Sequence, residues 1–367
     1  MFKITAENSG ARAGILKTKH GSIETPFFMP VATKGAVKYV DNVELLATGT
    51  NAIISNSLVL YFRPGLKVIK NAHGLHSFAN WNRIIFTDSG GFQSGNDFFL
   101  EKTTDRGAYF KSPFDGTKHM ITPEKAVEIQ SALGSDVMMV LDDMPGYGLT
   151  KAEVIAKTKR THKWAERSMA RFDKEQPKEQ MIFGIAQGGH FSDLRKDSIN
   201  FISNLGFDGI ALGGLAIGEP RQRLYNTLKQ AAEHLPYDKP HYLMGVGNPA
   251  DIMVAVENGI DCFDSTYPTQ NARHMTLFTS EGRLMIKNKR YETDFGKIDK
   301  NCDCYVCRNF SRAYLHHIMK RNEPTGMKLA SYHNIYFMQT LMHRTREAIK
   351  AGTFTEFSSK IKQLFGR

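Results

Sequence analysis

No apolar run in this chain of 367 residues approaches the ~20 residues that a membrane span needs. The opening Met1-Phe-Lys-Ile-Thr-Ala-Glu lacks the basic-then-apolar layout of a secretory signal, so a cytoplasmic location is the expectation. Neither G-x-G-x-x-G nor G-x-x-x-x-G-K-[ST] follows a strand-like segment, which disfavours a nucleotide cofactor. His-x-His is missing after the first strand-like segment, which weakens a metal-dependent barrel hydrolase. Internal repeats and low-complexity tracts are missing too. Cysteine is scarce, with four in all. Three of them lie together in Cys302-Asp-Cys304-Tyr-Val-Cys307, a spacing that in a cytosolic chain points to metal and not to disulfides.

What is present is a soluble globular composition, 41% hydrophobic and 23% charged. Lys and Arg number 48 against 37 Asp and Glu, a net charge of +11 that favours a polyanionic partner. A merely basic enzyme would carry the same excess.

Eight short, near-continuously apolar segments recur along the chain, at 27–32, 52–56, 83–88, 136–142, 181–187, 209–213, 241–246 and 260–264. Such runs suit parallel strands buried on both faces. Helix signals stand between them: Thr122-Pro-Glu up to Gly134, Thr150-Lys-Ala-Glu, Ser192-Asp-Leu-Arg up to about Gly206, and Asn248-Pro-Ala-Asp up to Gly259. Eightfold strand–helix alternation predicts an α/β fold, a (β/α)8 TIM barrel, with a doubly wound open sheet as runner-up. Residues 1–26 read as an antiparallel hairpin closing one end. Residues 89–134 are too long for a plain connection and suit a lid or substrate loop. The expected division is a barrel with N-terminal hairpin over 1–278, a zinc-binding insertion over 279–334, and a helical segment over 335–367 that completes the barrel.

Cys302, Cys304 and Cys307 supply three thiolates to a tetrahedral zinc, which needs a fourth ligand. His316, His317, His333 and His343 are candidates. His333 is preferred, because it precedes the final helical pattern and would tie the insertion back to the barrel. Four protein ligands make this a structural zinc, one per subunit.

Barrel enzymes keep their chemistry at the C-terminal ends of the strands. Those ends read Asp88-Ser-Gly-Gly-Phe-Gln93, Asp142-Asp143, Gln187-Gly-Gly, Gly213-Gly-Leu and Asp264. For any single such Asp a helix cap is the commoner explanation; the convergence of several favours catalysis. Paired carboxylates flanking an anomeric carbon break glycosidic bonds, one as nucleophile and one as acid. Amide and carboxylate side chains beside glycine-lined backbone suit the edge of a purine, and Phe92 suits its face. The residues alone thus support a glycosyl-transfer enzyme on a basic, zinc-stapled barrel.

Asp88-Ser-Gly-Gly-Phe-Gln, Phe183-Gly-Ile-Ala-Gln-Gly, Leu212-Gly-Gly-Leu-Ala-Ile-Gly-Glu, Tyr242-Leu-Met-Gly-Val-Gly and Phe263-Asp-Ser-Thr-Tyr-Pro-Thr, with the Cys302/Cys304/Cys307…His333 pattern, resemble tRNA-guanine transglycosylase of the bacterial type. The resemblance spans nearly the whole chain. It implies exchange of guanine at the wobble position of G-U-N anticodons for a 7-deazaguanine, preQ1 or queuine, in queuosine formation, by a homodimer. Asp264 would attack the ribose C1′ and hold the tRNA covalently. Asp88 would act as general acid and base. Asp142, Gln187, Gly214 and Leu215 would read the base edge, and Phe92 and Met244 would sandwich the ring. Thr269, Gln270 and Arg273 are the expected contacts to the anticodon loop, with Gln270 standing where the family usually has arginine. Met144 replaces the usual bacterial cysteine, and Ile217 the usual valine. The basic residues Arg283, Lys287, Lys289, Arg290, Lys320 and Arg321 would meet phosphates. A non-catalytic partner subunit of such an enzyme would lack Asp88 or Asp264, and both are present. A sugar-cleaving barrel hydrolase explains neither the charge nor the zinc.

Overall fold

A computed structural model describes residues 1–90, 100–177 and 179–366. Eight strands run parallel: β1 (Phe27–Pro30), β2 (Ala52–Asn56), β3 (Ile84–Asp88), β4 (Val137–Met139), β5 (Met181–Ala186), β6 (Gly209–Leu212), β7 (His241–Leu243) and β8 (Cys262–Ser265). They pair in the order β1-β8-β7-β6-β5-β4-β3-β2. A parallel bridge between Val31 and Ile54, with the Ala32 N–H donating to the Ile54 carbonyl at 2.7 Å, closes β1 onto β2. The sheet is therefore a barrel and not an open doubly wound sheet.

Ring contacts show how its centre is filled. Phe86 of β3 packs edge-on against Phe27 of β1, Phe183 of β5 and Tyr242 of β7, with centroids 5.8–6.1 Å apart. None of these strands is hydrogen-bonded to β3, so the contacts cross the interior. Four large rings from alternate strands make one packed layer, as barrel cores of this size require.

The helices start where their caps stand. Thr122 caps Pro123–Leu133, Thr150 and Glu153 form a capping box on Lys151–Glu175, and Asn248 caps Pro249–Glu257. The inward stripe of the long Lys151–Glu175 helix is Val154, Thr158, Thr161, Trp164, Ala165 and Ser168. The sequence pattern predicts Ile155, Trp164 and Met169 inward; Trp164 is buried, while Ile155 and Met169 are only half-buried at the margins of the stripe.

Three regions differ in detail from the sequence reading. Residues 1–26 form three antiparallel strands, Phe2–Asn8, Ala11–Thr18 and Gly21–Thr25, where a simple hairpin was expected. They cover the N-terminal end of the barrel through Arg12, whose guanidinium grips the buried carboxylate of Asp261 and donates to the Tyr237 and Lys239 carbonyls at 2.8 and 2.6 Å. After β3, residues 100–121 form a three-stranded antiparallel sheet, Leu100–Thr104, Gly107–Lys111 and Lys118–Ile121. Its turn residue Asp105 pairs with Lys163 at 3.0 Å and accepts at its carbonyl from Trp164 Nε1 at 3.1 Å, fixing it to the Lys151–Glu175 helix. After β8 come the hairpin Thr276–Thr279/Gly282–Met285, the helices Tyr305–Asn309 and Arg312–Lys320, and a 27-residue helix, Pro324–Lys350. That long helix is unbroken across 334 and 335, so His333 lies inside it and not ahead of it. A last helix, Phe354–Phe365, follows and is held to Glu257 by Ser358 and Lys362 at 2.7 and 2.6 Å. Among the described residues no helix is long and apolar enough to cross a membrane.

Candidate active site and metal centre

Parallel strands closing a barrel bring their C-terminal ends to one rim, and the strand-end residues meet there. Asp264 of β8 is half-buried. Its Oδ1 accepts from the Tyr242 hydroxyl at 2.6 Å and from the Gly245 N–H at 2.8 Å. Both donors fall on one oxygen, which orients the carboxylate and leaves Oδ2 turned away from them. Burial raises the Asp264 pKa, and the two hydrogen bonds only partly offset it. Tyr242 and Gly245 received no role in the sequence reading. Tyr242 packs on Phe86 inside the barrel, and the pairing of β7 with β8 brings its hydroxyl to Asp264, a closeness with no signal along the chain.

Asp88 ends β3, in register with Asn56 of β2. Its Oδ1 accepts from the Gly90 N–H at 2.9 Å. Burial pushes its pKa up to about 7; the Asp264 charge adds to the rise, while the Gly90 N–H and groups on Asn56 and Ser57 oppose it. The charges of Asp88 and Asp264 therefore interact, although their strands are not neighbours. A carboxyl with a pKa near 7 can give and take a proton at neutral pH, as a general acid–base group must.

Asp142 and Gln187 form the second pair. Gln187 Nε2 donates to Asp142 Oδ2 at 2.6 Å, while Gln187 Oε1 is buried without a partner among the described residues. Burial, with the charge of Asp143 behind it, lifts Asp142 to about 7 against the pull of the Gln187 amide. Gly214, at φ +68°, passes so close that a Cβ there would lie 2.8 Å from Gln187 Oε1. Only glycine lets the backbone approach this amide. Leu215 is buried beside it, and Met244 is half-buried just past β7. Phe92 lies outside the described residues.

Asp143, next in sequence to Asp142, faces the other way. It is buried, contacts Arg160, and pairs with Lys157 at 2.7 Å; both cations stand on the Lys151–Glu175 helix. Thr161 Oγ1 accepts its N–H at 3.0 Å. It anchors the strand end and is spent in doing so.

Of the three residues expected to meet RNA, Thr269 is buried and its hydroxyl donates to the Thr266 carbonyl at 3.1 Å. It is a structural residue of the Tyr267–Arg273 helix. Gln270 is exposed and Arg273 half-buried on the same helix. Lys287, Lys289, Arg290, Lys320 and Arg321 are exposed beside the cysteine-bearing segment. Arg283 is engaged with the Tyr267 hydroxyl at 3.0 Å.

Cys302, Cys304, Cys307 and His333 converge in one buried cluster that could hold a metal ion. His333 Nδ1 lies 4.0, 3.5 and 3.4 Å from the three sulfur atoms in that order. The opposite nitrogen, Nε2, is 2.8 Å from the Phe278 carbonyl. That bond puts the proton on Nε2 and turns the Nδ1 lone pair toward the thiols, the outer-shell arrangement of a metal-binding histidine. Asn334 then ties the helix to the barrel, accepting from the Phe278 N–H at 2.9 Å and donating to the Pro268 and Thr276 carbonyls at 3.0 Å. His316, the nearer candidate in sequence, instead bonds the Ile286 carbonyl at 2.7 Å.

The family profile described as "Queuine tRNA-ribosyltransferase" matches residues 7–366. The chain belongs to the queuine tRNA-ribosyltransferase family. Proteins of that name from Thermoanaerobacter pseudethanolicus and Fusobacterium nucleatum are 47% identical over 358 residues and 46% over 366. The alignments cover 98% of this chain and 95% of the first relative, and 99% of this chain and 98% of the second. A third such protein, from Anoxybacillus flavithermus, is 45% identical over 362 residues, covering 99% of this chain and 95% of its own length. The matched residues thus take in the barrel, the rim of carboxylates and the cysteine-bearing segment together.

Proposed function

We propose that this chain exchanges guanine at the wobble position of tRNAs with G-U-N anticodons for a 7-deazaguanine base, in queuosine formation. The observation that carries the reading is the pair Asp88 and Asp264: one carboxylate oriented on a single oxygen, the other poised near pH 7.

Asp264 Oδ2 attacks C1′ as the C1′–N9 bond to guanine breaks, and Asp88 delivers the proton that the departing base takes up. The ribose of the tRNA is then esterified to Asp264. An incoming 7-deazaguanine gives its N9 proton to Asp88 as N9 attacks C1′ and Asp264 leaves. One N-glycosidic bond replaces another, so no external energy source enters. Asp142 accepts from the N–H groups along the base edge, and Gln187 Oε1 gains the partner it lacks. Gly214, Leu215 and Met244 wall the base. Gln270 and Arg273 meet the anticodon loop, and the exposed Lys and Arg residues meet its phosphates.

The thiol–imidazole set fits Zn2+, a four-ligand site with no open position, which would staple the long helix to the barrel. Two copies of the chain form the working unit in this reading. Exposed Tyr305 and Tyr314 beside Phe310, and Val43 on the helix Asn42–Ala47, offer apolar surface for that contact.

The test follows label in guanine-loaded tRNA on addition of preQ1 or queuine. Release with one of the bases, and a tRNA adduct on denaturing gels that Asp264→Asn abolishes, are expected. No release with either base would sink the reading, and an adduct surviving the substitution would remove Asp264 from its role. The same preparation should carry one zinc per chain, lost on Cys304→Ser, and should sediment as a dimer.

A further inference from the structure

The base-edge amide of Gln187 stands on a turn that is gripped from beneath by a buried cation. Arg195, in the first turn of the helix Ser192–Ser203, is 1% exposed. It has no acidic partner within ion-pair distance among the described residues. Its NH1 donates to the Ala186 carbonyl at 2.8 Å and its NH2 to the Gly189 carbonyl at 2.7 Å. These two carbonyls bracket Gln187 and Gly188. A Cβ at Gly188, φ +120°, would lie 2.6 Å from the Arg195 nitrogen, so the turn rests directly on the helix. Ser198, one helical turn on, accepts the Gln187 N–H at 2.9 Å and is itself paired with His162 Nε2 at 2.8 Å.

An unpaired charge in such a place is costly unless it has fixed acceptors, and a planar fork that reaches two carbonyls at once is what a guanidinium supplies and an ammonium does not. Burial lowers the pKa of the group to about 9, which still leaves it charged at neutral pH. The hydrogen bonds of the cation go to the backbone on either side of the pair Gln187-Gly188, and the Gln187 side chain reaches Asp142.

We infer that Arg195 is a positioning residue for base recognition: it fixes the Gln187 turn, and through Gln187 the Asp142 carboxylate, at the geometry that reads the purine edge. This rests on the base-exchange reading above. It concerns the free base more than the tRNA, because phosphate contacts dominate RNA affinity.

The experiment measures guanine-base exchange into tRNA, with tRNA affinity alongside, in wild type, Arg195→Met, Arg195→Lys and Ser198→Ala. In Arg195→Met the KM for the free base should rise about tenfold or more, the scale of one or two misplaced hydrogen bonds, with tRNA Kd unchanged. Lysine, reaching one carbonyl, should recover part of the loss. Ser198→Ala leaves the buried charge in place and should raise the base KM about threefold, which keeps the idea testable should the methionine variant not fold. A base KM at the wild-type level in Ser198→Ala, or in a folded Arg195→Met, would overturn the inference. So would equal losses of base and tRNA affinity. Absence of exchange in the wild type would instead defeat the parent reading.

Discussion

Strand β4 has an aspartate at each end, and the two have opposite environments. Asp136, at the N-terminal end, is buried with both oxygens doubly engaged. Oδ1 meets the His20 N–H at 3.0 Å and His20 Nδ1 at 2.9 Å; Oδ2 meets His76 Nε2 at 3.0 Å and the Ile85 N–H at 2.9 Å. Burial pushes that carboxyl up, but the bonds from His76, Ile85 and His20 outweigh it and hold it at about 2. Asp142, at the C-terminal end, has one amide beside it and is held at about 7. The strand carries a staple at one end and an unsatisfied group at the other. Strand β8 repeats the contrast more weakly. Asp261 below is locked to Arg12, although burial still lifts it to about 6, and Asp264 above keeps an oxygen turned away from its donors. The lower rim satisfies its carboxylates with fixed partners, and the upper rim leaves them less satisfied, as the proposed base exchange needs. His20, His76 and Asp136 could by composition hold a metal. With every carboxylate position already taken, they are better described as a hydrogen-bonded hub joining the N-terminal sheet, the helix Leu75–Ala79 and the barrel.

The contrast breaks most visibly at Asp88. Asp88→Asn removes the proposed proton carrier of the upper rim and should lower base exchange about 10²–10⁴-fold, with folding and tRNA binding retained. Exchange within tenfold of wild type would show that another group moves the proton. Next in size is the lower rim. Asp136→Ala strands two histidines and two N–H groups and should cost about 3–5 kcal/mol in denaturant unfolding, with the folded fraction still active. A loss of activity without loss of stability would reverse the assignment of the two ends.

The smallest effect concerns pH, and the two rims give it opposite signs. Asp136, depressed to about 2, contributes stability that is present above its unfolded pKa near 4 and lost as pH falls toward 2. Asp142, raised to about 7, binds its proton more tightly folded than unfolded, so its contribution is present below pH 4 and fades as pH rises through 7. Asp142→Asn should therefore stabilise the protein at pH 8 by about 1–2 kcal/mol, allowing for its partial exposure, while weakening base binding. Unfolding midpoints at pH 5 and pH 8 check this. A variant less stable than wild type at pH 8 would mean that the carboxylate is better solvated than the raised pKa implies.

Much of this was legible beforehand because it depends on local chemistry. Buried parallel strands cannot alternate in polarity, so eight continuous apolar runs announced eight barrel strands. Thr122, Thr150 and Asn248 announced helix starts because capping is settled within four residues. Cys302, Cys304 and Cys307 announced a metal because thiolates at that spacing reach one point. The sheet at 100–121 was missed because its strands are only four or five residues long, too short for a pattern to stand out although Ala108, Phe110 and Ile121 are buried.

By itself, then, the sequence determined the elements, the acidic strand ends and the three clustered cysteines, each a matter of neighbours along the chain. Only the tertiary structure decided which aspartate is stapled and which is left free. The partners that decide it, His20 and His76 for Asp136, Tyr242 for Asp264 and Arg12 for Asp261, come from other elements, the last of them 249 residues away. Closing the barrel is what brings them within hydrogen-bond reach, and at that range burial and donors set a carboxylate's charge.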